Sequence, residues 1–559
     1  MAIAARTMAI LRYGFLAAIL AAGILLRVHH YDTCPRGLNQ DEASIGYDAF
    51  SIAEYGVTRN GESFPVHFIG WGSGQAGLYH YLIMPFIKVF GLSEGSVRAG
   101  NLLAQTASIL LFFLLMTAMG KPVLGLMGSF LIAVTPWSIV GSRWGFEAYL
   151  LPVVILAGVF LYVKAFRDRR FLPWSFAVFA LSLYAYSTAY FFIPLFAAYL
   201  IYHARRMFPD FRSYSRNMAI SLCAFILVSI PIGCFFLINV VCKSMSAMNL
   251  LGMTISKLHQ SGARYEKFIF MDSRVHDIGG FLSRLGTYFR FYYETIFLQR
   301  GPLWCVPEAE RFGCFYQFST IFLVLGILIC LIQWVRAAVK KKSYPESIFV
   351  VWFAIASIMG LLSEANTFRM SAIYFVLYYF IAKAIYETSR MVFHAVQILT
   401  RSNRQGFVAQ WSAIAMIAML YIGQLAQFYP CYISLFSGAY GQWLRESLGS
   451  AIAYADTIAA PGESIYFTDH DPNTLYVYVL FYEKVDPRYF MKNVVYVDSR
   501  SEWRPVSEIG RFRFIFDKTR MANPIEGGLY VARGADADRI PLRPESVRKD
   551  FKHYSVVRY

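Results

Sequence analysis

Residues 37–48 read GLNQDEASIGYD and follow directly on the first long apolar run of the chain. The segment opens like a loop at Gly37 and continues with the residue types of a helix. It places two adjacent carboxylates, Asp41 and Glu42, a short distance beyond a predicted membrane exit. Two neighbouring residues of a helix point about 100° apart, so the two carboxylates cannot face one atom together. We therefore expect one of them to act and the other to pair with a cation or cap the helix.

The composition is that of a membrane protein. Of the 559 residues, 57% are hydrophobic and 16% are charged, whereas soluble domains carry about 25% charged residues. The mean hydropathy is +0.44. The net charge of +17 would favour nucleic acid in a soluble protein, but here the basic residues cluster in short loops between apolar runs and no nucleic-acid motif is present.

Apolar segments recur along the chain and predict about eleven transmembrane helices. They lie at about residues 13–26, 97–118, 123–140, 149–165, two within 172–203, 217–240, 318–335, 347–362, 371–387 and 409–428. The basic side chains of Arg6 and Arg12 predict a cytoplasmic N-terminus. The loops after the fourth, sixth, eighth and tenth segments are also rich in arginine and lysine, as this topology requires.

The segment after residue 429 changes character. Strand-like stretches alternate with turn residues at 464–468, 474–481, 493–497, 512–516 and 528–531, and 442–458 has the pattern of an amphipathic helix. We predict two domains: a mainly helical transmembrane domain over residues 1–429, with a helical first external loop, and a small external α/β domain over 430–559. An apolar stretch at 78–90 is short for a span and is expected to lie along the membrane interface.

The predicted topology collects a set of polar residues on the external side, near the ends of spans. Charges at that depth are costly unless they are partnered or solvated, and so they indicate function. The set comprises Asp41, Glu42, Arg143, Glu147, Tyr186, Tyr190, Glu364, Asn366 and Arg369. A carboxylate can take a proton from an acceptor hydroxyl or amine. Arginines can bind a phosphate and stabilise its charge as it leaves. The combination predicts glycosyl transfer from a polyprenyl-phosphate sugar.

Several stretches resemble the GT-C class of membrane glycosyltransferases, and in particular its protein-mannosyltransferase and aminoarabinose-transferase-like branch (glycosyltransferase family 39-like). They are residues 38–43, Gly91-Leu92-Ser93 with Val97-Arg98, residues 142–147 and Asn366-Thr367-Phe368-Arg369. The resemblance extends over about residues 10–430 and does not reach the C-terminal segment. It implies an inverting transfer from a polyprenyl-phosphate donor on the external side of the plasma (inner) membrane.

The resemblance also implies roles for single residues. Asp41 corresponds to the family's base or acceptor-orienting carboxylate, with Glu42 as the adjacent candidate. Arg369 corresponds to the arginine that faces the donor phosphate, and Arg143 is a second candidate for that role. An inverting transfer requires one base and no covalent intermediate. The implied partners are the lipid-linked donor as co-substrate, membrane lipids, and a glycan, lipid or protein acceptor.

Structural readings of the same residues stay open at this point. Asp41 could stabilise a helix N-terminus, and Arg369 could be an interfacial anchor. Arg143 and Glu147 are spaced four apart and could pair with each other. His80 is a further acceptor-site candidate. Tyr186 and Tyr190 are interpreted as an aromatic-belt pair.

Two more features bear on cofactors and bonds. His29, His30 and Asp32 invite a metal site, but adjacent histidines diverge on a helix, so no metal site is predicted and a divalent cation is left open. Cys305 and Cys314 flank a turn-rich stretch and could form a disulfide if that loop is external. The alternative function is a lipid or glycan transporter or flippase. Against it, the spans lack central acidic residues and no internal repeat is seen.

Overall fold

The computed structural model describes residues 2–72, 74–207, 211–258, 269, 275, 277–300, 311–363, 366–437, 441–499, 501 and 503–559. Glu364 and Cys305 lie outside these residues, so the predictions made for them stay predictions. The chain forms two compact units. Unit 1 comprises residues 1–29, 101–230 and 266–432, and unit 2 comprises 30–100, 231–265 and 433–559. The predicted domain division at residue 430 stays a prediction.

Helices make up most of the described chain. They are α1 (Ala2–Val28), α2 (Gln40–Tyr55), α3 (Gly77–Phe90), α4 (Glu94–Ala118), α5 (Pro122–Val134), α6 (Pro136–Gly141), α7 (Leu150–Lys164), α8 (Phe171–Leu181), α9 (Ala189–Met207), α10 (Phe211–Phe236), α11 (Ile278–Ile296), α12 (Ser319–Val339), α13 (Ser347–Leu362), α14 (Tyr374–Thr400), α15 (Asn403–Ser437), α16 (Leu448–Ile458), α17 (Leu475–Tyr482), α18 (Pro487–Asn493) and α19 (Gly534–Ala537).

All predicted transmembrane segments but the third coincide with helices, and the protein is a multi-pass membrane protein. Among the described residues, 6 helical stretches are long and apolar enough to cross a bilayer by length and composition. They are Ala9–Val28, Glu94–Ala118, Glu147–Lys164, Tyr214–Val241, Ser319–Val339 and Asn403–Leu435. The shorter helices α5, α8 and α13 are also apolar. The total of eleven spans stays a prediction.

The third predicted span is not one helix. It divides between α5 and α6 at Thr135, which has extended backbone (φ −93°, ψ 150°). Pro136 follows, and the residue before a proline is forced away from helical angles. The sequence analysis drew this segment through the proline without a break.

Unit 1 has a core of aromatic side chains between its helices. Trp137 is buried and stacks on Tyr374 with ring centroids 4.2 Å apart. Trp352 is also buried, and its indole N–H donates to the carbonyl of Ala372 at 2.7 Å. Gly326 lets α12 approach α14 closely, since a Cβ there would lie 2.0 Å from the carbonyl oxygen of Phe380.

Unit 2 contains the β-structure. Its strands are β1 (His67–Phe68), β2 (Gln75–Ala76), β3 (Met248–Leu250), β4 (Met253–Ile255), β5 (Ile465–Thr468), β6 (Val494–Tyr496), β7 (Val506–Ile509), β8 (Phe512–Phe514), β9 (Leu529–Arg533), β10 (Val547–Asp550) and β11 (Tyr554–Arg558). The last seven form one mixed sheet in the order β10-β11-β9-β5-β8-β7-β6. Strand β5 pairs in parallel with β8 and β9, and the other pairings are antiparallel.

One predicted strand of this segment is wrong. Residues 474–481 were expected to be extended, but residues 475–482 form helix α17. Every residue from Leu475 to Phe481 is buried. A short apolar run that is buried on all sides has no polar face, so its periodicity does not distinguish a strand from a helix. The predicted amphipathic helix over 442–458 is shorter than expected and begins at Leu448.

Helix α17 packs against α2 within unit 2. A Cβ on Gly46 would lie 2.8 Å from the ring of Phe481, so glycine allows the two helices to approach. The hydroxyl of Tyr47 donates to the carbonyl of Val485 at 2.6 Å, and that of Tyr478 donates to the carbonyl of Leu38 at 3.1 Å. The helix that carries the two carboxylates is therefore held on a rigid support.

Candidate functional site

The two carboxylates lie in the first turn of α2, and a capping box fixes this turn. The side chain of Asn39, the N-cap, accepts from the backbone N–H of Glu42 at 2.9 Å. In return, Glu42 Oε2 accepts from the backbone N–H of Asn39 at 3.2 Å. Both bonds satisfy backbone donors that a helix start leaves without partners.

Glu42 also forms a buried ion pair with Arg98. The Nε of Arg98 donates to Oε1 at 2.9 Å and its Nη2 donates to Oε2 at 3.2 Å, and both side chains are at most 2% exposed. The remaining guanidinium donors of Arg98 reach the carbonyls of Pro35 and Gly37. Glu42 thus caps the helix and pairs with a cation.

Asp41 is half-buried and has a different partner. Gln75 Nε2 donates to Asp41 Oδ1 at 3.1 Å. The amide oxygen of Gln75 accepts from the hydroxyl of Ser44 at 3.0 Å, and that hydroxyl accepts from Arg59 Nη1 at 2.8 Å. Arg59 in turn pairs with Asp48 at 3.0 Å. The bonds form a chain that runs from a buried ion pair to the half-buried carboxylate and holds its orientation.

Two titratable groups lie near this chain, and burial shifts both. Burial lowers the pKa of His80 to about 3, although a hydrogen bond to the carbonyl of Ala76 opposes the shift. His80 also stacks on Phe68 with centroids 3.7 Å apart. It is therefore neutral at physiological pH. Burial raises the pKa of Glu62 to about 7, with a hydrogen bond from Ser256 opposing.

The raised pKa of Glu62 predicts a pH-dependent stability. The folded protein holds this proton more tightly than the unfolded chain, so the contribution to stability is complete below about pH 4.5. It is lost as the pH rises through about 7. We expect the melting temperature to fall between pH 5 and 8 and Glu62→Gln to flatten that slope, as checked by thermal scans across the range. An equal slope in the variant would contradict the assignment.

In unit 1, three of the predicted external loops meet at Phe146. Its ring packs edge-on against Phe368 at 4.7 Å and against Tyr186 at 6.0 Å. Asn101, at the start of the unit 1 part of α4, donates from Nδ2 to the carbonyls of Trp144 and Phe146 at 2.7 and 2.8 Å. Tyr186 is only 8% exposed, so most of its side chain is covered by the rest of the protein. The sequence analysis missed Asn101, whose only signal is a polar residue within an apolar helix.

Asn366 shapes the loop that carries Arg369. Its Oδ1 accepts from the backbone N–H of Phe368 at 3.1 Å and of Arg369 at 2.8 Å. This is an Asx turn, which fixes the local backbone without help from the rest of the fold. Arg369 is half-buried. Asn366 therefore positions the arginine.

Arg143 is buried and contacts the end of α1. Its Nη2 donates to the carbonyls of Leu26 and His29 and to the hydroxyl of Tyr429. The guanidinium lies 5.9 Å from the ring centroid of Tyr429 and 5.8 Å from that of Tyr432. A cation at a helix C-terminus offsets the negative end of the helix dipole. These contacts give Arg143 a structural role, and donor binding by this residue stays a prediction.

Glu147 begins the 3₁₀ turn that precedes α7 and is 2% exposed. In sum, Arg143, Glu147, Asn366 and Arg369 belong to unit 1, whereas Asp41, Glu42 and His80 belong to unit 2. Their joint participation in one site stays a prediction. Sequence reasoning missed the hydrogen-bond chain through Gln75, Arg59 and Asp48, because its bonded partners are 11 to 34 residues apart in the sequence.

The described residues contain no cluster of three His, Cys, Asp or Glu side chains that could hold a metal ion. His29 instead contacts the hydroxyl of Tyr429 at 3.1 Å, and His30 contacts that of Thr33 at 3.1 Å. Cys314 is a buried thiol beside the hydroxyl of Tyr374 at 3.8 Å. The disulfide to Cys305 stays a prediction.

Comparison with solved structures identifies the fold. The oligosaccharyltransferase AglB from Archaeoglobus fulgidus, in complex with an inhibitory peptide and a dolichol-phosphate, matches with a TM-score of 0.53 and 13% identity. The match covers 84% of this chain and 63% of that chain. An Archaeoglobus fulgidus oligosaccharyltransferase tethered with an acceptor peptide matches with a TM-score of 0.54 and 14% identity, with the same coverage. This chain has the GT-C fold.

Two further comparisons accompany this result. A model of the family described as dolichyl-phosphate-mannose-protein mannosyltransferase matches residues 75–230 of this protein. ArnT from Cupriavidus metallidurans, bound to undecaprenyl phosphate, covers 97% of both chains with 12% identity and a TM-score of 0.48. No curated protein matches the sequence. The match covers only 63% of the length of the archaeal oligosaccharyltransferase AglB.

Proposed function

We propose that this protein is an inverting glycosyltransferase that moves a sugar from a polyprenyl-phosphate donor to an acceptor on the external side of the plasma (inner) membrane. The observation that carries the proposal is that the two carboxylates in the first turn of α2 have different partners. Glu42 is committed to Arg98 and the helix cap, while Asp41 is half-buried and held by Gln75. One oriented carboxylate is what an inverting transfer requires.

In the proposed reaction, Asp41 accepts the proton of an acceptor hydroxyl or amine. The freed electron pair forms a bond to the anomeric carbon of the donor, and the bond from that carbon to the phosphate oxygen breaks. The polyprenyl phosphate leaves with the bonding electrons. Arg369 stabilises the charge that develops on the phosphate. Arg143 is proposed as a second residue in this role.

The comparisons support the class of donor. The matching family model is that of dolichyl-phosphate-mannose-protein mannosyltransferases, and the archaeal oligosaccharyltransferase was solved with a dolichol-phosphate. Apolar helices allow the lipid chain of such a donor to lie in the bilayer beside the protein. We propose a cytoplasmic N-terminus and an external C-terminal segment, on the basis of the basic loops.

The test is a transfer assay with the purified full chain in lipid nanodiscs. Polyprenyl-phosphate sugars, radiolabelled in the sugar, are offered with a crude envelope fraction as acceptor. The expected result is label in the acceptor with an equal amount of free polyprenyl phosphate, and an anomeric configuration opposite to that of the donor. Arg369→Gln should weaken donor use, whereas Arg401→Gln, in a predicted cytoplasmic loop, should not.

The same preparation separates transfer from transport. A lipid or glycan flippase would move an intact labelled donor between the leaflets of a proteoliposome without release of the sugar. Translocation without any sugar transfer would overturn the proposed function. Transfer with retained configuration would overturn the inverting mechanism.

A further inference from the structure

An aromatic cleft lies within unit 2, and its aromatic and arginine side chains have not been assigned a role in the reaction. Its walls come from the turn at Arg59, the loop at Trp71, helices α17 and α18, strand β6 and the loop that carries Trp503 and Arg504. Trp71 and Trp503 stack with centroids 6.1 Å apart, and Tyr476 meets Trp71 edge-on at 6.1 Å. Such walls are typical of ligand sites, which combine aromatic surfaces with a few polar groups.

Two hydrogen-bond donors of the cleft have no acceptor. The indole Nε1 of Trp71 and the Nε of Arg504 are both buried and have no hydrogen-bond partner within the described structure. Trp71 itself is 4% exposed. A buried donor without a partner is costly, because it has lost its hydrogen bonds to water without replacing them. A ligand that supplies acceptor oxygens would recover this free energy.

The charge of the cleft is positive. Arg59 is neutralised by Asp48 at 3.0 Å. Arg504 lies over the ring of Tyr496 at 4.4 Å and donates to the amide oxygen of Asn60 at 3.1 Å. Within the described part of the chain, no ion pair involves Arg504. The pKa of nearby Glu62 is raised to about 7, so this carboxyl neutralises the guanidinium only in part.

The dimensions favour a ring at the mouth of the cleft. The cleft encloses about 300 Å³ when its open mouth is counted, and its interior is much narrower than this figure. The interior has room for about one water-sized group, so a ring can lie only at the mouth. Trp503 is 43% exposed and offers a flat face at the mouth. A sugar ring can pack its C–H face there and send one charged group toward Arg504.

We infer that this cleft binds an anionic sugar residue, which carries a carboxylate or a phosphate, as part of the acceptor. Arg59 connects the cleft to the proposed base, because it lines the cleft and also donates to Ser44 in the chain that ends at Asp41. The assignment of the bound sugar to the acceptor rests on the proposed function. The binding of an anionic sugar does not.

The test measures the binding of small sugars to the purified full chain by ligand-observed NMR. The probes are methyl glucuronide, glucose 6-phosphate and the neutral methyl glucoside. We expect both anionic probes to bind at least about tenfold more tightly than the neutral one, the value of one charge-assisted hydrogen bond. A difference between the two anionic probes identifies carboxylate or phosphate as the recognised group.

Two variants and a matched control locate the binding. Arg504→Gln should remove the preference for the anionic probes, and Trp503→Ala should weaken binding of all probes about tenfold. Trp443→Ala replaces another exposed tryptophan of unit 2, 60% exposed, and should leave binding unchanged. Equal binding of anionic and neutral sugars, no binding, or binding that Trp503→Ala leaves intact would each overturn the inference.

The outcome separates this inference from the proposed function. Anionic-sugar binding that depends on Trp503 and Arg504, with no transfer from any polyprenyl-phosphate sugar, would uphold the cleft and reject the transferase. Transfer with an unchanged KM for the acceptor in Trp503→Ala would uphold the transferase and reject the cleft as its acceptor subsite.

Discussion

Replacing Asp41 by asparagine is expected to lower the rate of sugar transfer by about 10²–10⁴-fold, the usual contribution of a general base. Asparagine keeps the size of the side chain and its oxygen acceptor for Gln75, which donates to Asp41 at 3.1 Å. It cannot take a proton. The loss should therefore appear in kcat, with the KM for the donor and the melting temperature little changed. Single-turnover assays with a labelled polyprenyl-phosphate sugar measure it.

Asp32→Asn is the matched control for this variant. Asp32 is an exposed acid of unit 2 that also follows the first span, and its replacement should leave the rate unchanged. Full activity of Asp41→Asn would remove Asp41 as the base. A similar loss in both variants would indicate a general effect of charge near the membrane and not proton transfer at Asp41.

Replacing Arg98 by alanine is expected to lower the free energy of unfolding by about 3–5 kcal/mol, because it leaves Glu42 buried without its cation. The ion pair is at most 2% exposed, and Arg98 also binds the carbonyls of Pro35 and Gly37. The cost should appear as earlier unfolding in a denaturant titration, followed by tryptophan fluorescence of the detergent-solubilised protein.

A surface pair and a double variant test the physical reason. Arg36 pairs with Glu446 at 3.9 Å and is 55% exposed, so Arg36→Ala should change stability by less than about 1 kcal/mol. The double variant Glu42→Leu with Arg98→Met removes both charges and should be more stable than Arg98→Ala alone. A double variant that is less stable than the single one would contradict the explanation by an unpaired buried charge.

The sequence located several apolar helices closely because each depends on local composition. Roughly twenty apolar residues are needed to cross a bilayer, and such runs are visible without any knowledge of tertiary contacts. Helices α4, α7 and α12 begin or end within a few residues of the predicted spans. The failure at residues 474–481 has the opposite cause. That run is buried on all sides, so only its packing against α2 decides that it is a helix.

The site was predictable in part. The first turn of α2 follows from local chemistry, since Asn39 and Glu42 have the spacing of a capping box and read as one in the sequence. The loop at Arg369 is similar, because Asn366 forms a local Asx turn. The partners of these residues could not be predicted. Arg98 is 56 residues from Glu42, and Gln75 is 34 residues from Asp41.

The sequence alone therefore determined that this is a multi-pass membrane protein with two adjacent carboxylates at the start of a helix. It also determined that the two cannot act on one atom, because helix geometry separates neighbouring side chains. Only the tertiary structure decided which of the two carboxylates forms a buried ion pair. Glu42 is enclosed with Arg98, whereas Asp41 stays half-buried beside Gln75. Burial and charge pairing depend on residues brought together from distant segments, and no local pattern records them.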